Sequence, residues 1–312
     1  MKYSITIPAY KASFLQECID SVLSQSYSDF ELIIVDDASP QNIGEIVFRY
    51  NDSRIRYYRN KENCGAVNVV DNWNICLSYA QGEYVICMGD DDRLLPNCLE
   101  TYNALIDEYP DLDVYHGFTE IIDETSSFIG LQEARPQFES VYSLMWHRWN
   151  GRNQFIGDFL FRTVALRRHG GFYKLPLAWA SDDISVYMIA MNRGIANTQI
   201  PVFQYRKNSQ TISLTGDNLL KIKAVKMEES WTREFLMQLS PNSELDRNYK
   251  ILLEKQFLPF FYAKRYKLLL YDMRSGSCLK FFDWFSNREK LGISKKEIVR
   301  AYLSSLKSKL LS

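Results

Sequence analysis

Apolar positions in the first 120 residues switch repeatedly between two periods. Ser4–Tyr10 ("SITIPAY") alternates and is β-branched as far as Pro8, which predicts a strand ending there in a loop. Between Ser13 and Ser26, Phe14, Leu15, Cys18, Ile19, Val22 and Leu23 recur at helical spacing. Leu32–Val35 is then an unbroken apolar run ending in Asp36 and Asp37, as expected of a strand buried on both faces. Arg54–Asn60 predicts a third strand, and Val67, Val70, Trp73 and Leu77 a helix. Tyr84–Met88 predicts a fourth strand, Leu94–Tyr109 a helix and Asp113–Gly117 a fifth strand. This alternation predicts an α/β fold with a doubly wound, mostly parallel sheet flanked by helices.

From about Glu120 to Asn153 no period is visible. A second stretch of helix and strand pattern follows in "FLFRTVALRRHGGFY", "ASDDISVYMIAMNRG" and "TQIPVFQYR". Beyond Gly216 the pattern is helical, with amphipathic segments "LLKIKAVKMEESWTREFLMQL" and "KKEIVRAYLSSLKSKLL". The expected organisation is an α/β domain over 1–215, with halves 1–120 and 121–215, and a helical C-terminal extension over 216–312.

Composition changes this picture little. The 312 residues are 46% apolar and 24% charged, enough to bury a sizeable core. A net charge of −1 argues against a nucleic-acid binder. "MKYSITIPAY" lacks the apolar core of a signal peptide, and no apolar run is long enough to cross a bilayer. The expected location is the cytoplasm. Six cysteines without C-x-x-C spacing are expected to be reduced and mostly buried, and three scattered histidines give no zinc pattern.

The chemistry lies in acidic groups. Asp36–Asp37 and Asp90–Asp92 follow two of the predicted strands, and ligands of open α/β sheets bind beyond the carboxyl ends of strands. Neither G-x-G-x-x-G nor G-x-x-x-x-G-K-[ST] occurs, so a bound nucleotide would not have its phosphates in a glycine loop. A hard cation held by one or two carboxylates would substitute. Three aspartates alone fit a solvated turn as well as a cation site. Asp36, Asp37, Asp182 and Asp183 fit helix caps as well as chemistry.

The segments "ITIPAYKA", "SQSYSDFELIIVDDAS", "NCG", "AQGEYVICMGDDDRLLP", "GGF" and "SDD" occur in an order that resembles family-two, GT-A type, inverting nucleotide-sugar glycosyltransferases over about Met1–Arg206. The resemblance implies a nucleotide-sugar-binding half, an acceptor-binding half, and a divalent cation, Mn2+ or Mg2+. It implies that Pro8, Ala9 and Tyr10 line the nucleobase pocket, with Tyr10 stacking on the base, and that Asp37 contacts the base. It places the metal on Asp91, with Asp90 beside the ribose and diphosphate and Asp92 a frequent following aspartate. Gly89 stands where many members carry the first aspartate of the motif. Counting back from Gly194, Asp182 falls on the family's usual glutamate and Asp183 on its catalytic base.

Weaker candidates surround these. Gly170–Tyr173 suits a close backbone approach or a plain turn. Asp71–Asn74 lacks the arginine often seen there in the family, and Asn208 replaces a frequent histidine. Arg206 could neutralise a diphosphate or sit on a solvated face. Trp146, His147, Trp149 and Trp179 are either core or a sugar platform. The lysine-rich C-terminal helices are either an extension packed on the α/β domain or on a homodimer partner, or a peripheral contact with a membrane.

The resulting expectation is an inverting, metal-dependent transferase. It would move a sugar from a nucleotide diphosphate donor to a glycan or lipid-linked hydroxyl acceptor at the inner membrane face. A nucleotidyltransferase and a non-catalytic sugar-nucleotide or glycan-binding protein are the rivals. "PAYKAS" does not supply the basic glycine-rich loop that the first rival would bring, and Asp183 speaks against the second.

Overall fold

A computed structural model describes residues 1–209, 217–275 and 279–310. The chain forms two compact units, one of Met1–Lys174 with Ser181–Thr211, the other of Leu175–Ala180 with Ile212–Ser312.

The first unit is built on a sheet whose strands are β1 (Tyr3–Ala9), β2 (Phe30–Asp36), β3 (Ile55–Arg59), β4 (Tyr84–Cys87), β5 (Arg93–Leu94), β6 (Val114–Ile122), β7 (Phe128–Leu131), β8 (Phe138–Glu139), β9 (Phe159–Arg162) and β10 (Ile195–Arg206). Its order is β3-β2-β1-β4-β9-β6-β10-β5, with β7 on β6 and β8 on β10. β1, β2, β3 and β4 run parallel, as do β6 and β10, while β9 is antiparallel to both its neighbours. All seven residues of β2 are buried, which is why its sequence shows no alternation. Each buried Leu, Ile or Val there contributes ~1.5–3 kcal/mol of transfer free energy.

The helices α1 (Leu15–Leu23), α2 (Ile43–Val47), α3 (Val69–Tyr79) and α4 (Cys98–Glu108) connect the early strands. α5 (Val141–Trp149), α6 (Thr163–Arg168) and α7 (Ser181–Ala190) follow. α1 has the expected stripe: Leu15, Cys18, Ile19 and Val22 are buried, one helical turn apart.

Several boundaries differ from the sequence expectation. The first strand does not stop at Pro8, which lies inside β1 opposite Val35. Pairing with β4 ends at Thr6, so the absent Pro8 amide interrupts no ladder bond on that side. The helix expected from Leu94 starts at Cys98, because Arg93 and Leu94 pair with Gln204 and Phe203 as β5. The stretch without a period contains β7, β8 and α5. α5 is buried at Val141, Tyr142, Ser143, Leu144 and Met145 in succession, so no polar stripe marks its period. Gly171 in the "GGF" segment has φ +90°, and a Cβ there would lie 2.3 Å from Asn74 Oδ1. It therefore serves a close approach rather than a plain turn.

The second unit is helical: α8 (Asn218–Gln238), α9 (Glu244–Ser275), α10 (Leu279–Leu291) and α11 (Lys295–Leu310). Val225, Leu253, Phe261, Leu269, Trp284 and Ile298 are in its core, and Trp284 Nε1 donates to Asp272 at 2.9 Å. Among the described residues no helix is long and apolar enough to cross a membrane. Five cysteines there are free thiols, all buried except the half-buried Cys64; Cys278 lies outside the described residues.

Candidate functional site

The register of the sheet brings three loops together at the carboxyl ends of β1, β2 and β4. In the loop after β1, the amides of Tyr10 and Lys11 both donate to Asp90 Oδ2 at 2.7 Å. Tyr10 itself is 42% exposed, while Ala9 is fully buried and its carbonyl accepts from the Asp37 amide at 2.9 Å. Ser39 Oγ donates to the Tyr10 carbonyl at 2.5 Å and ties the loops after β1 and β2 together.

The two aspartates after β2 have different surroundings. Asp36 is fully buried; it accepts from the Ser39 amide and the Tyr57 hydroxyl and is paired with Arg59. Asp37 accepts from Asn60 Nδ2 at 2.8 Å and the Cys64 amide at 3.0 Å, which shapes the "NCG" turn around it. Asn72 of "DNWN" donates to the Val35 carbonyl and accepts from Asn60.

The triplet after β4 wraps around Gly89. A Cβ on Gly89 would stand 2.7 Å from Asp91 Oδ1 and 3.0 Å from Asp92 Oδ2, so a side chain there would push the two carboxylates aside. Asp92 is buried and accepts the Arg206 amide at 3.0 Å, an anchor made available by the pairing of β5 with β10. Asp91 accepts from Asn208, the residue standing where the family often has histidine. Burial first, then the neighbouring Asp91 charge, raises Asp90 to about 6. Burial raises Asp91 as well, and burial with the Asp91 charge pushes Asp92 well up. The ionised forms of all three are thus disfavoured in the absence of a cation, chiefly by burial.

Arg206 does not sit on a solvated face, one of the two places the sequence had suggested. It is fully buried, and its guanidinium donates to the carbonyls of Asp91 and Asp123, to Ser126 Oγ and to Glu17 Oε2. Its plane lies 4.2 Å from the Phe14 ring. It is a strut that fixes the triplet against α1 and the β6–β7 turn.

A second acidic group lies in the first turn of α7. Asp183 is 4% exposed, and its Oδ1 accepts from Arg148 Nε at 2.8 Å and Gln154 Nε2 at 2.7 Å. Burial, then the charge of Asp183, raises the neighbouring Asp182 to about 7. Arg148 also donates to the Arg152 carbonyl, and Arg152 pairs with buried Glu139 at 2.7 Å. Arg148 and Gln154 escaped the sequence analysis. An arginine in the buried helix α5 was the available signal, hidden because that segment showed no period. Of the four candidate platform residues, Trp149 is buried, and Lys221 Nζ lies 5.1 Å from the Trp179 ring.

Tyr205 immediately precedes Arg206, whose amide is bound to Asp92. Burial, then the charges of Asp92, Asp91 and Asp182, push its phenol well above the ordinary range. Its ring stacks on Phe155, with centroids 3.6 Å apart and planes at 7°.

The donor set at the triplet is all oxygen, which suits a hard cation. Among the described residues no three His, Cys, Asp or Glu side chains surround a point suited to a metal. A hard cation takes one or two carboxylates alongside substrate oxygens, and the triplet carries that donor type.

Comparison with known proteins agrees with this fold. The chain is 35% identical over 117 residues to glycosyltransferase GlyG of Streptococcus pneumoniae, covering 36% of this chain and 38% of that protein. It is 40% identical over 104 residues to the putative colanic acid biosynthesis glycosyl transferase WcaA of Escherichia coli, covering 32% and 36%. The matches span between 38% and 52% of the length of the first curated relatives. Among solved structures, S. aureus TarS 1–349 in complex with UDP-GlcNAc superposes with a TM-score of 0.67 at 15% identity, over 100% of this chain and 92% of that one. Mannosyltransferase PcManGT of Pyrobaculum calidifontis, in complex with GDP-Man and Mn2+, superposes with a TM-score of 0.56 at 16% identity, over 99% and 87%. The fold is that of a GT-A glycosyltransferase, with a curled, mostly parallel sheet, flanking helices and a helical C-terminal region. The chain belongs to glycosyl transferase family 2, whose family model matches residues 4–172.

Proposed function

We propose that the protein is an inverting, metal-dependent glycosyltransferase that moves a sugar from a nucleotide diphosphate to a hydroxyl acceptor in cell-surface polysaccharide or lipid-linked glycan synthesis. The observation that carries this reading is the presence of two acidic groups, the triplet beyond β4, bound by the Tyr10, Lys11 and Arg206 amides, and Asp183, held by Arg148 and Gln154. WcaA's role in colanic acid biosynthesis supports the polysaccharide setting, and the ligands of TarS and PcManGT support a nucleotide-sugar donor. Such an acceptor would place the reaction at the inner membrane face.

Asp37 and Tyr10, with Pro8 and Ala9 shaping their loop, hold the nucleobase; Asp90 serves the ribose and diphosphate side; Asp91 is the metal ligand. Asp92 adds negative charge and anchors β10 through the Arg206 amide. Mn2+ or Mg2+, when bound there, would neutralise the departing diphosphate. Asp183 takes the proton of the acceptor hydroxyl. As the acceptor oxygen bonds to the anomeric carbon, the bond to the diphosphate oxygen breaks and its electron pair leaves with the diphosphate. Attack from the face opposite the leaving group inverts the anomeric centre. Arg148 and Gln154 orient the Asp183 carboxylate, and Arg148 favours its charged form.

A thermal-shift screen of nucleotide diphosphate sugars with and without Mn2+, followed by NMR assignment of the product anomer, tests this function. Stabilisation by a sugar nucleotide that needs Mn2+, and an inverted product, are expected. A retained anomer would overturn the single-displacement mechanism.

Two further results are expected. A charged carboxylate beside the metal ligand Asp91 strengthens cation binding, and burial with the Asp91 charge raises Asp90 to about 6. Mn2+-dependent nucleotide affinity, measured by calorimetry across pH, should therefore be full above that value and fall as pH drops through it, by about tenfold per unit for each proton taken up. The sign is the reverse for the metal-free fold: its raised carboxylate destabilises it as pH rises through the same value. In Gly89→Ala, the new Cβ would displace the Asp91 and Asp92 carboxylates. The affinity should fall on the order of tenfold, ~1.4 kcal/mol, with little change in melting temperature. Undiminished affinity would show that the triplet's close wrapping is irrelevant to binding.

A further inference from the structure

We propose that Tyr205, braced by Phe155, reads the transferred sugar: its hydroxyl donates to a sugar hydroxyl held between the two acidic groups. The inference rests on the donor and acceptor sides assigned above.

Position is the first argument. The Arg206 amide is bound to Asp92 Oδ1 at 3.0 Å, so Tyr205 is the last β10 side chain before the triplet's anchor. Gln154 is bound to Asp183 Oδ1 at 2.7 Å, so Phe155 directly follows the residue that holds the base. The stack of Tyr205 on Phe155, 3.6 Å between centroids, thus joins the residue beside the triplet's anchor to the residue beside the one that holds Asp183. In a displacement with the diphosphate at Asp90–Asp91 and the attacking hydroxyl at Asp183, the group in that interval is the sugar itself.

Chemistry is the second argument. Both rings are half-buried rather than sealed in the core. Among the described residues nothing accepts the Tyr205 hydroxyl hydrogen bond or donates to it. Asp91, Asp92 and Asp182 are the charged groups that act on it, and they keep the phenol protonated, so it remains a donor at neutral pH. A half-buried donor without a partner suits a ligand hydroxyl. The ring is held on one face by Phe155, so the donor is fixed in place before the ligand arrives. Donors held this way discriminate between sugars that differ in one hydroxyl, because the wrong epimer leaves the donor unpaired.

The test is read on binding, without turnover. Calorimetry with Mn2+ would compare UDP, UDP-glucose, UDP-galactose and UDP-GlcNAc, and GDP with GDP-mannose and GDP-fucose. Wild type is expected to separate sugars that share one nucleotide. Tyr205→Phe, which keeps the stack, should leave affinity for the parent diphosphate within about twofold while narrowing that separation by about fivefold, as for one lost hydrogen bond. Phe155→Leu should narrow it likewise by releasing the ring. An unchanged separation in Tyr205→Phe, or wild type that does not distinguish the sugars, overturns the inference. The donor assignment fails separately, if wild type binds neither diphosphate; the base assignment fails separately, if Asp183→Asn keeps its turnover.

Discussion

Asp183→Asn is expected to lower transfer by ~10²–10⁴-fold, the range for loss of a general base, while donor affinity stays within about twofold. Asparagine keeps the shape and can still accept from Arg148 and Gln154, the two donors that hold Asp183 Oδ1. It cannot take a proton from the acceptor. The variant also removes the charge that helps raise Asp182, so the Asp182 carboxyl should titrate lower and become the counter-charge of Arg148. That compensation keeps the fold and separates the chemical loss from unfolding. Donor consumption at saturating acceptor, with a melting curve on the same sample, checks both halves. Turnover within about tenfold of wild type would sink the assignment of the base.

Asp91→Ala is expected to abolish Mn2+-dependent binding of nucleotide diphosphate, a loss on the order of 100-fold in affinity, as when one of very few ligands to a cation is removed. The same change should raise the melting temperature of the metal-free protein. Asp90 and Asp92 are both raised in part by the Asp91 charge, so its removal relieves repulsion among buried carboxylates. Opposite signs for stability and binding are hard to obtain from a residue that only supports the fold. Titration of nucleotide diphosphate with Mn2+ and with chelator, beside melting curves without metal, measures both. Binding indifferent to the mutation and to chelator would remove the metal from this site.

Much of this arrangement was legible along the chain. The strands β1 to β4 and the helices α1 and α3 follow from apolar period, while the five-residue α2 is too short to show one, and the strand-end aspartates stand out because the runs before them are so apolar. α5 was not legible, because a helix buried around most of its circumference has no polar stripe. The end of β1 was misjudged because the harm done by a proline depends on which edge its missing amide faces, a property of the pairing register. Arg206 looks like any cation after a strand; its burial depends on Glu17, Phe14 and Ser126, which arrive from α1 and the β6–β7 turn.

The sequence by itself determined the α/β class, the family resemblance and the acidic groups, because these are written in local period and in residues close together. Only the tertiary structure decided that Asp92 is an anchor, that Gly89 is wrapped by its own aspartates, that Arg148 and Gln154 hold Asp183, and that Tyr205 stacks on Phe155. Each of these depends on pairs more than twenty-five residues apart or on a Cβ that would meet its neighbours, and neither leaves a periodic trace in a chain.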